Sequence, residues 1–421
     1  MRVGLLTQWY DPEPGPAALP GVLARGLAAR GHDVQVLTGF PNYPTGRLAA
    51  GYRQRRRQDE KLDGIRVRRV ALYPSHDRSA VRRILNYGSF AFSATASGLD
   101  ALRGLDALWV GCSPATVGLP LLAARAGLGL PCVTQVLDLW PDTMLASGFL
   151  AGGAAGKLVT GAVGLWCRGL YRASTAVVYI SPGVGPVLQA RGVPRHKLHY
   201  VPLWADEEVF QPSSEDMRAQ LGLERDQVVL LYAGAIGEAQ GLETLLEAAA
   251  LVPDRRFVAV LAGSGATEES LREILRRTGG ANVRMIGRVP QQQMTALMAS
   301  ADLSYVSLRD HPLSAITMPS KTQAALAAGK PILAAATGDV AQVVRASGAG
   351  WVVPPHHAPA IAATISAAVS LGRQGLHEKG ERARAFYLQS FSVERGVQQL
   401  EALLERAAAT RTPGARNRPR S

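Results

Sequence analysis

Short apolar runs alternate with longer segments whose apolar residues recur at helical spacing along almost the whole chain. The runs at 3–7, 34–38, 65–71, 107–111, 132–137, 176–180 and 198–201 are rich in Val, Ile and Leu and read as buried strands. Between them, 18–30, 80–102, 116–126 and 154–172 read as helices. The polar stretch 203–215, with Pro and Ser, reads as a linker. A second series follows, with strands at 228–232, 257–261, 283–286, 303–306, 332–335 and 351–353 and helices at 242–252, 270–277, 291–299, 322–328 and 358–371. Strand followed by helix, repeated without a fixed period, predicts an α/β protein of two doubly wound Rossmann-like domains. Such sheets bind ligands beyond their strand carboxyl ends, so the two domains are expected to face a central cleft. The expected divisions are 1–205, 206–385, a C-terminal helix at 386–410 that packs back through Val397, Leu400, Leu403 and Leu404, and a disordered basic tail at 411–421.

With 421 residues, 47% of them hydrophobic, the chain is long enough for two full cores. The net charge of +13 is unevenly shared: residues 1–205 carry 23 Lys and Arg against 11 Asp and Glu, whereas 206–421 carry 23 against 22. One basic half beside a near-neutral one fits an anionic surface such as a membrane. It argues against nucleic acid, for which no zinc-finger spacing or aromatic-rich basic motif is present. Cys112, Cys132 and Cys167 are odd in number and lie in apolar contexts, which reads as core thiols of a reduced, cytoplasmic chain. The first residues lack the apolar stretch of a signal peptide. The apolar region 145–170 is broken by glycines, Lys157 and Arg168, so no transmembrane helix is expected.

Candidate chemistry collects at strand ends. The strand at 228–232 runs into Gly234-Ala-Ile-Gly-Glu-Ala-Gln-Gly241, whose glycines at 234, 237 and 241 permit close backbone approach ahead of a helix N-terminus suited to phosphate. The next strands end in Gly263-Ser-Gly265 and in Gly287-Arg288-Val289, so one nucleotide could lie across all three. In the loop His311 to Lys321, Ser320 is placed to cap the next helix, and its hydroxyl with the Lys321 ammonium makes a pyrophosphate seat. A tight turn and an ordinary capped helix remain the alternatives for these two segments. In the first half, Gly15 follows strand one, and Asp138 ends the strand 132–137, either as a carboxylate at the cleft edge or as a turn residue. No Asp-x-Asp pair, Walker loop, Gly-x-Ser-x-Gly elbow or His-Glu-x-x-His occurs.

With these segments in place, the chain resembles glycosyltransferase family 4, of the GT-B fold. Within it, the chain is similar to the bacterial L-fucosamine (N-acetylfucosaminyl) transferases of O-antigen, capsule and colanic-acid assembly. The resemblance is carried by Asp11-Pro-Glu-Pro-Gly15, Pro41-Asn-Tyr-Pro-Thr-Gly46, Leu85-Asn-Tyr-Gly-Ser-Phe-Ala-Phe-Ser-Ala94, Asp138-Leu-Trp-Pro141, Gln240-Gly-Leu242, Pro319-Ser-Lys-Thr-Gln323 and Leu326-Ala-Ala-Gly-Lys-Pro331. It implies retaining transfer from a UDP-sugar without a metal or other cofactor. By matching position, Gly234, Gly237, Gln240, Gly241, Gly263, Ser320 and Lys321 would hold the donor diphosphate, with Arg288 and Val289 beside the base. Gly15 would approach the phosphates from the other domain, and Asp138 would lie by the transferred sugar as the catalytic candidate. The acceptor would be a glycan on a polyprenyl diphosphate, and the enzyme would sit on the inner face of the cell membrane. The chain departs from the family where two glutamates are usual: Ile316 and Ala324 stand there. A soluble secondary-metabolite acceptor, or a lapsed nucleotide- or glycan-binding protein, are the competing expectations. The membrane contact is expected from Arg53, Arg55, Arg56, Arg57, Lys61, Arg66, Arg68, Arg69, Arg78, Arg82 and Arg83, next to a helix containing Phe90 and Phe92.

Overall fold

The structure, a computed structural model, describes residues 1–76, 79–146 and 153–411. The chain forms two compact units, Met1–Val201 with the C-terminal stretch from Gly396, and Pro202–Arg395. The tail expected at 411–421 lies outside the described residues beyond Arg411, as does Arg78.

The first unit is built on eight strands, β1 (Arg2–Leu6), β2 (Asp33–Gly39), β3 (Arg57–Leu62), β4 (Ile65–Val70), β5 (Ala107–Cys112), β6 (Cys132–Val136), β7 (Ala176–Tyr179) and β8 (Leu198–Tyr200). Their order is β3-β4-β2-β1-β5-β6-β7-β8, parallel except for β3. β2, β5 and β6 are almost wholly buried, as unbroken apolar runs require when helices cover both faces of a sheet. β3 is an unexpected element. Its Arg-Gln-Asp-Glu-Lys-Leu sequence alternates exposed and half-buried at the sheet edge, and its turn uses Asp63 and Gly64, both at positive φ, the geometry of a two-residue hairpin. The helices are α1 (Leu19–Ala29), α2 (Ala80–Ser97), α3 (Gly118–Leu128), α4 (Asp142–Ala146), α5 (Ala154–Ala173) and α6 (Val184–Ala190), with α3 in contact with both α2 and α5. Cys112, Cys132 and Cys167 are buried.

The second unit has β9 (Val228–Ala233), β10 (Phe257–Ala262), β11 (Val283–Gly287), β12 (Leu303–Ser307), β13 (Ile332–Ala335) and β14 (Gly350–Val353), all parallel in the order β11-β10-β9-β12-β13-β14. Its helices are α7 (Glu243–Ala250), α8 (Glu268–Thr278), α9 (Met294–Ser300), α10 (Pro312–Ala315), α11 (Ser320–Ala327), α12 (Gly338–Ser347) and α13 (Ala358–Ser390), the last broken at Gly372. The short helices α4, α6 and α10, and the longer α12, escaped the periodicity reading. The first three are too short for a clear apolar stripe, whereas α12 buries Val340, Ala341, Val343 and Val344 at helical spacing.

The units meet earlier than the expected 205/206 division. Ala205 is buried in the second core and its N–H donates to the Tyr387 hydroxyl at 3.1 Å. Glu207 accepts from that hydroxyl at 2.9 Å and from the Val393 N–H at 2.8 Å. These bonds fasten both crossing segments to the second unit, so the stretch read as a linker starts inside a domain. Residues 386–395 belong to that unit too. α14 (Val393–Ala409) then buries Val397, Leu400, Leu403 and Leu404. Val397 lies 2.7 Å from where a Cβ on Gly26 of α1 would fall, and Glu401 binds both His32 and Arg30 at 2.6 Å, so this helix completes the first unit.

Candidate functional site

In the second unit the strand order reverses between β9 and β12, the place where open parallel sheets hold ligands beyond their carboxyl ends. Gly234 and Gly263 leave β9 and β10 at φ of 148° and 149°, a region closed to side chains. A Cβ on Gly263 would stand 1.8 Å from the Gly234 carbonyl oxygen, and one on Gly265 would stand 2.1 Å from that of Ile236. The two loops therefore touch backbone to backbone. The Gly263 N–H donates to Gly287 at the end of β11 at 2.7 Å. Across the next gap the Arg288 guanidinium donates to the Ser264 hydroxyl at 2.7 Å. Gly241 at φ 56° turns the chain toward α7, while the Gln240 side-chain oxygen accepts the Gly237 N–H at 3.1 Å, so these two residues satisfy one another. Of the two residues expected beside the base, Val289 packs on the core around Leu297 and Met298 and is half-buried, while Arg288 stays exposed.

Lys321 is brought to this edge from α11. Its ammonium donates to the Tyr232 hydroxyl at 2.9 Å and lies 4.3 Å above that ring. It is also 3.2 Å from where a Cβ on Gly234 would be, so a bare backbone is what lets the cation reach the first glycine loop. Burial pulls its pKa down to about 8. Tyr232 in turn donates to the Ala235 carbonyl. A half-buried ammonium with one neutral partner is suited to receive an anion, which would return the solvation it has lost. Ser320 is not a cap. Helix α11 begins at Ser320 itself, with extended Pro319 in the capping position and no side-chain cap bond. Proline presets that entry, which leaves the Ser320 hydroxyl outside the capping role.

At the two glutamate positions of the resemblance, Ile316 closes α10 and Ala324 is buried within α11. Beside Ala324, Thr322 Oγ1 and Gln323 Oε1 are buried without a hydrogen-bond partner. The sequence reading missed Tyr232, Ser307 and Gly338. Ser307 donates to the Gln240 carbonyl at 2.7 Å, and Gly338, at φ 63°, begins α12 where a Cβ would stand 1.8 Å from the Ala315 carbonyl oxygen. An apolar pattern holds no signal for such contacts, though the glycine could have drawn attention.

In the first unit the reversal lies between β1 and β5. Asp138 follows β6 and accepts from the Ser113 hydroxyl at the end of β5; burial pushes its pKa up, while Ser113 and Arg83 pull the other way. Gly15 opens a short 3-10 turn (Gly15–Ala18) after β1, at φ 66°, with open space where a Cβ would be. The motif blocks around it form one network. Glu13 is buried and accepts N–H groups of Tyr10, Asn42 and Tyr43 at 3.0, 2.7 and 2.8 Å. Burial pushes its pKa up to about 7, against the pull of those donors. Gln8 donates to Asn86 at 2.6 Å, and Asn86 donates to the Tyr73 carbonyl at 2.7 Å. The Asp-Pro-Glu-Pro, Pro-Asn-Tyr-Pro and Leu-Asn-Tyr blocks thus hold the strand-end loops together.

The arginine-rich segment differs from the expected open patch. Arg57 and Arg68 pair with Asp100, Arg68 also with Asp59, and Arg66 with Asp33. Arg69 is wholly buried, on Glu60 and the Gly39 carbonyl. Phe90 is buried as well, whereas Phe92, Arg53, Arg55 and Arg56 are exposed.

Residues 15–204 match the glycosyl transferase 4-like domain, and residues 213–386 match glycosyl transferases group 1. The chain carries the two domains of a glycosyltransferase and has the GT-B fold. It is 28% identical over 326 residues to the "Putative colanic acid biosynthesis glycosyl transferase WcaI" of Escherichia coli (strain K12), covering 76% of this chain and 79% of that protein. It is 26% identical over 299 residues to the "Probable glycosyltransferase WbjE" of Pseudomonas aeruginosa, covering 68% and 73%. Among solved structures, Anabaena Alr3699/HepE in complex with UDP-glucose superposes with a TM-score of 0.69 at 16% identity, over 96% of this chain and 100% of that one.

Proposed function

We propose that the protein is a retaining, metal-independent glycosyltransferase of cell-surface polysaccharide biosynthesis, moving a sugar from a UDP-sugar to a lipid-linked glycan. The observation that carries the donor half is the Lys321 ammonium against bare Gly234, at a sheet reversal lined by Gly263 and Arg288. The UDP-glucose complex of a protein of the same fold supports UDP as the nucleotide, and the names of the two relatives support a polysaccharide product, with an N-acetyl-L-fucosamine-like amino or deoxy sugar as the candidate. The absence of any Asp-x-Asp pair in the sequence supports donor binding without a bridging metal. In this reading Lys321 takes up charge on the leaving diphosphate, which itself receives the acceptor proton, and Asp138 orients the reacting sugar. No other cofactor is needed. The protein works in the cytoplasm at the inner membrane face, where a polyprenyl-linked acceptor is presented.

A second reading, a nucleotide-binding protein without turnover, is favoured by Ile316 and Ala324 at the two glutamate positions. Calorimetry with UDP, GDP, TDP and ADP, with and without magnesium, separates the two when followed by donor turnover. Selective UDP binding that needs no magnesium and weakens about 10- to 100-fold in Lys321→Ala is the expected result. Equal binding by that variant removes the donor site, and binding without turnover of any donor leaves the second reading.

A further inference from the structure

Tyr232 stands where a central strand of the second unit ends. β9 lies between β10 and β12, and Tyr232, its last residue but one, is wholly buried in the same core cluster as Tyr305 of β12. Its hydroxyl is used twice. An ammonium has donors only, so the 2.9 Å contact with Lys321 Nζ makes the hydroxyl oxygen an acceptor. The hydroxyl proton goes to the Ala235 carbonyl, in the first glycine loop. Burial raises the Tyr232 pKa, so the phenol stays neutral and keeps that proton. The ring itself lies 4.3 Å beneath the ammonium. One side chain thus ties a cation from α11 to the loop that leaves β9, where Nζ sits 3.2 Å from the missing Cβ of Gly234. Among the described residues burial alone pulls the Lys321 pKa down to about 8. Tyr305 of β12 and Glu243 of α7, itself paired with Arg309, stand next in line and act on one another.

We infer that Tyr232 is a positioning residue of the donor site, holding the Lys321 ammonium against the first glycine loop where a diphosphate oxygen would meet it. The inference rests on the donor reading above and gives its cation a holder. A neutral holder suits the task. A carboxylate in the same place would fix the ammonium equally well but would cancel the charge offered to a phosphate. A lysine without a holder would give up its rotamer freedom only when the anion arrived. The hydroxyl also favours the charged form of Lys321, because its proton is committed to the Ala235 carbonyl and its oxygen can only accept. Removing the hydroxyl therefore lowers the Lys321 pKa further.

The test is UDP calorimetry at pH 6.5 and pH 8.5 on the wild type, Tyr232→Phe, Lys321→Met and the double variant, with thermal unfolding of each to show a folded chain. Tyr232→Phe keeps the ring and removes the hydroxyl. Its UDP affinity is expected within about twofold of wild type at pH 6.5 and about 5- to 10-fold lower at pH 8.5, where more of its Lys321 is uncharged. In the Lys321→Met background the same substitution should change affinity less than about twofold at either pH. An equal loss at both pH values, no loss at either, or the full loss in the Lys321→Met background overturns the inference, since a merely structural hydroxyl acts without regard to the charge of Lys321. A second measurement needs no Tyr232 variant. With carbon-13 labelled lysine, the ε-methylene protons of Lys321, identified by their absence from Lys321→Met, should be shifted upfield by the ring beneath them. A signal placed with those of the other lysines overturns the positioning. A wild type that takes no UDP at either pH removes the donor reading and this inference with it, whereas UDP binding with the wrong Tyr232→Phe pattern removes this inference alone.

Discussion

The two units share one strand logic and finish their ligand-side edges by opposite means. In the second unit, loops after β9 and β10 touch through bare backbone at Gly234, Gly263 and Gly265, leaving room for the Lys321 ammonium. In the first, the corresponding loops are sewn together by buried polar side chains, with Glu13, Asn86 and Arg69 each binding several partners. Close backbone packing leaves the Lys321 ammonium beside bare glycine backbone, whereas side-chain stitching uses up its polar groups in holding loops. The outer helices differ as well. α8 of the second unit is laced with ion pairs, Arg272 to Glu268 and Arg276 to Glu269 and Glu273, as a solvated helix should be. α2 and α5 of the first unit show apolar residues and cations with no acid.

Four substitutions or titrations can break or sharpen this contrast. The largest effect is expected from Gly263→Ala, which drives a Cβ into the Gly234 carbonyl at a φ of 149°. It should cost about 4 kcal/mol of stability in denaturant unfolding and abolish UDP binding. Glu13→Ala should cost about 3 kcal/mol by leaving three buried N–H groups unpaired, yet UDP affinity should stay within about twofold. A collapse of nucleotide binding in that variant would erase the distinction between the edges. Next comes pH. A bound diphosphate favours the charged form of Lys321, whose free value is about 8. UDP affinity should therefore fall by up to about tenfold per pH unit above that value, with proton uptake on binding near it in calorimetry. For folding the sign is reversed. The folded value lies below the unfolded one, so between roughly pH 8 and 10 the unfolded chain holds more protons and Lys321 makes stability rise with pH. The smallest change belongs to Ser113→Ala, which removes the hydroxyl that pulls the Asp138 pKa down. Stability should move by no more than about 1 kcal/mol, while the acid limb of the turnover profile shifts to higher pH.

Every strand expected from apolar runs is present within a residue or two; those buried on both faces, such as β2, β5, β6 and β10, must be apolar along their length and so declare themselves locally. β3 was hidden for the converse reason: an edge strand keeps its charges in water and shows no such run. The glycines at 234, 241 and 263 also stood out in the sequence, and all three adopt the positive φ that glycine permits.

What sequence alone determined about this protein is therefore the α/β class, two domains, the positions of their strands, and the glycine loops that could face a ligand. Only tertiary structure decided which of those features meet. Lys321 reaches Gly234 because α11 follows β12, and β12 lies beside β9 in the sheet, a neighbourhood that no local pattern encodes. It likewise decided that Ser320 is a helical residue and not a cap, that Val289 turns inward, and that Arg66, Arg68 and Arg69 are held by acids while Phe92 is left outside. The physical reason is range. Burial of a strand is set by its own residues, whereas the partner of a charge and the exposure of a helix face are set by segments far away in the chain.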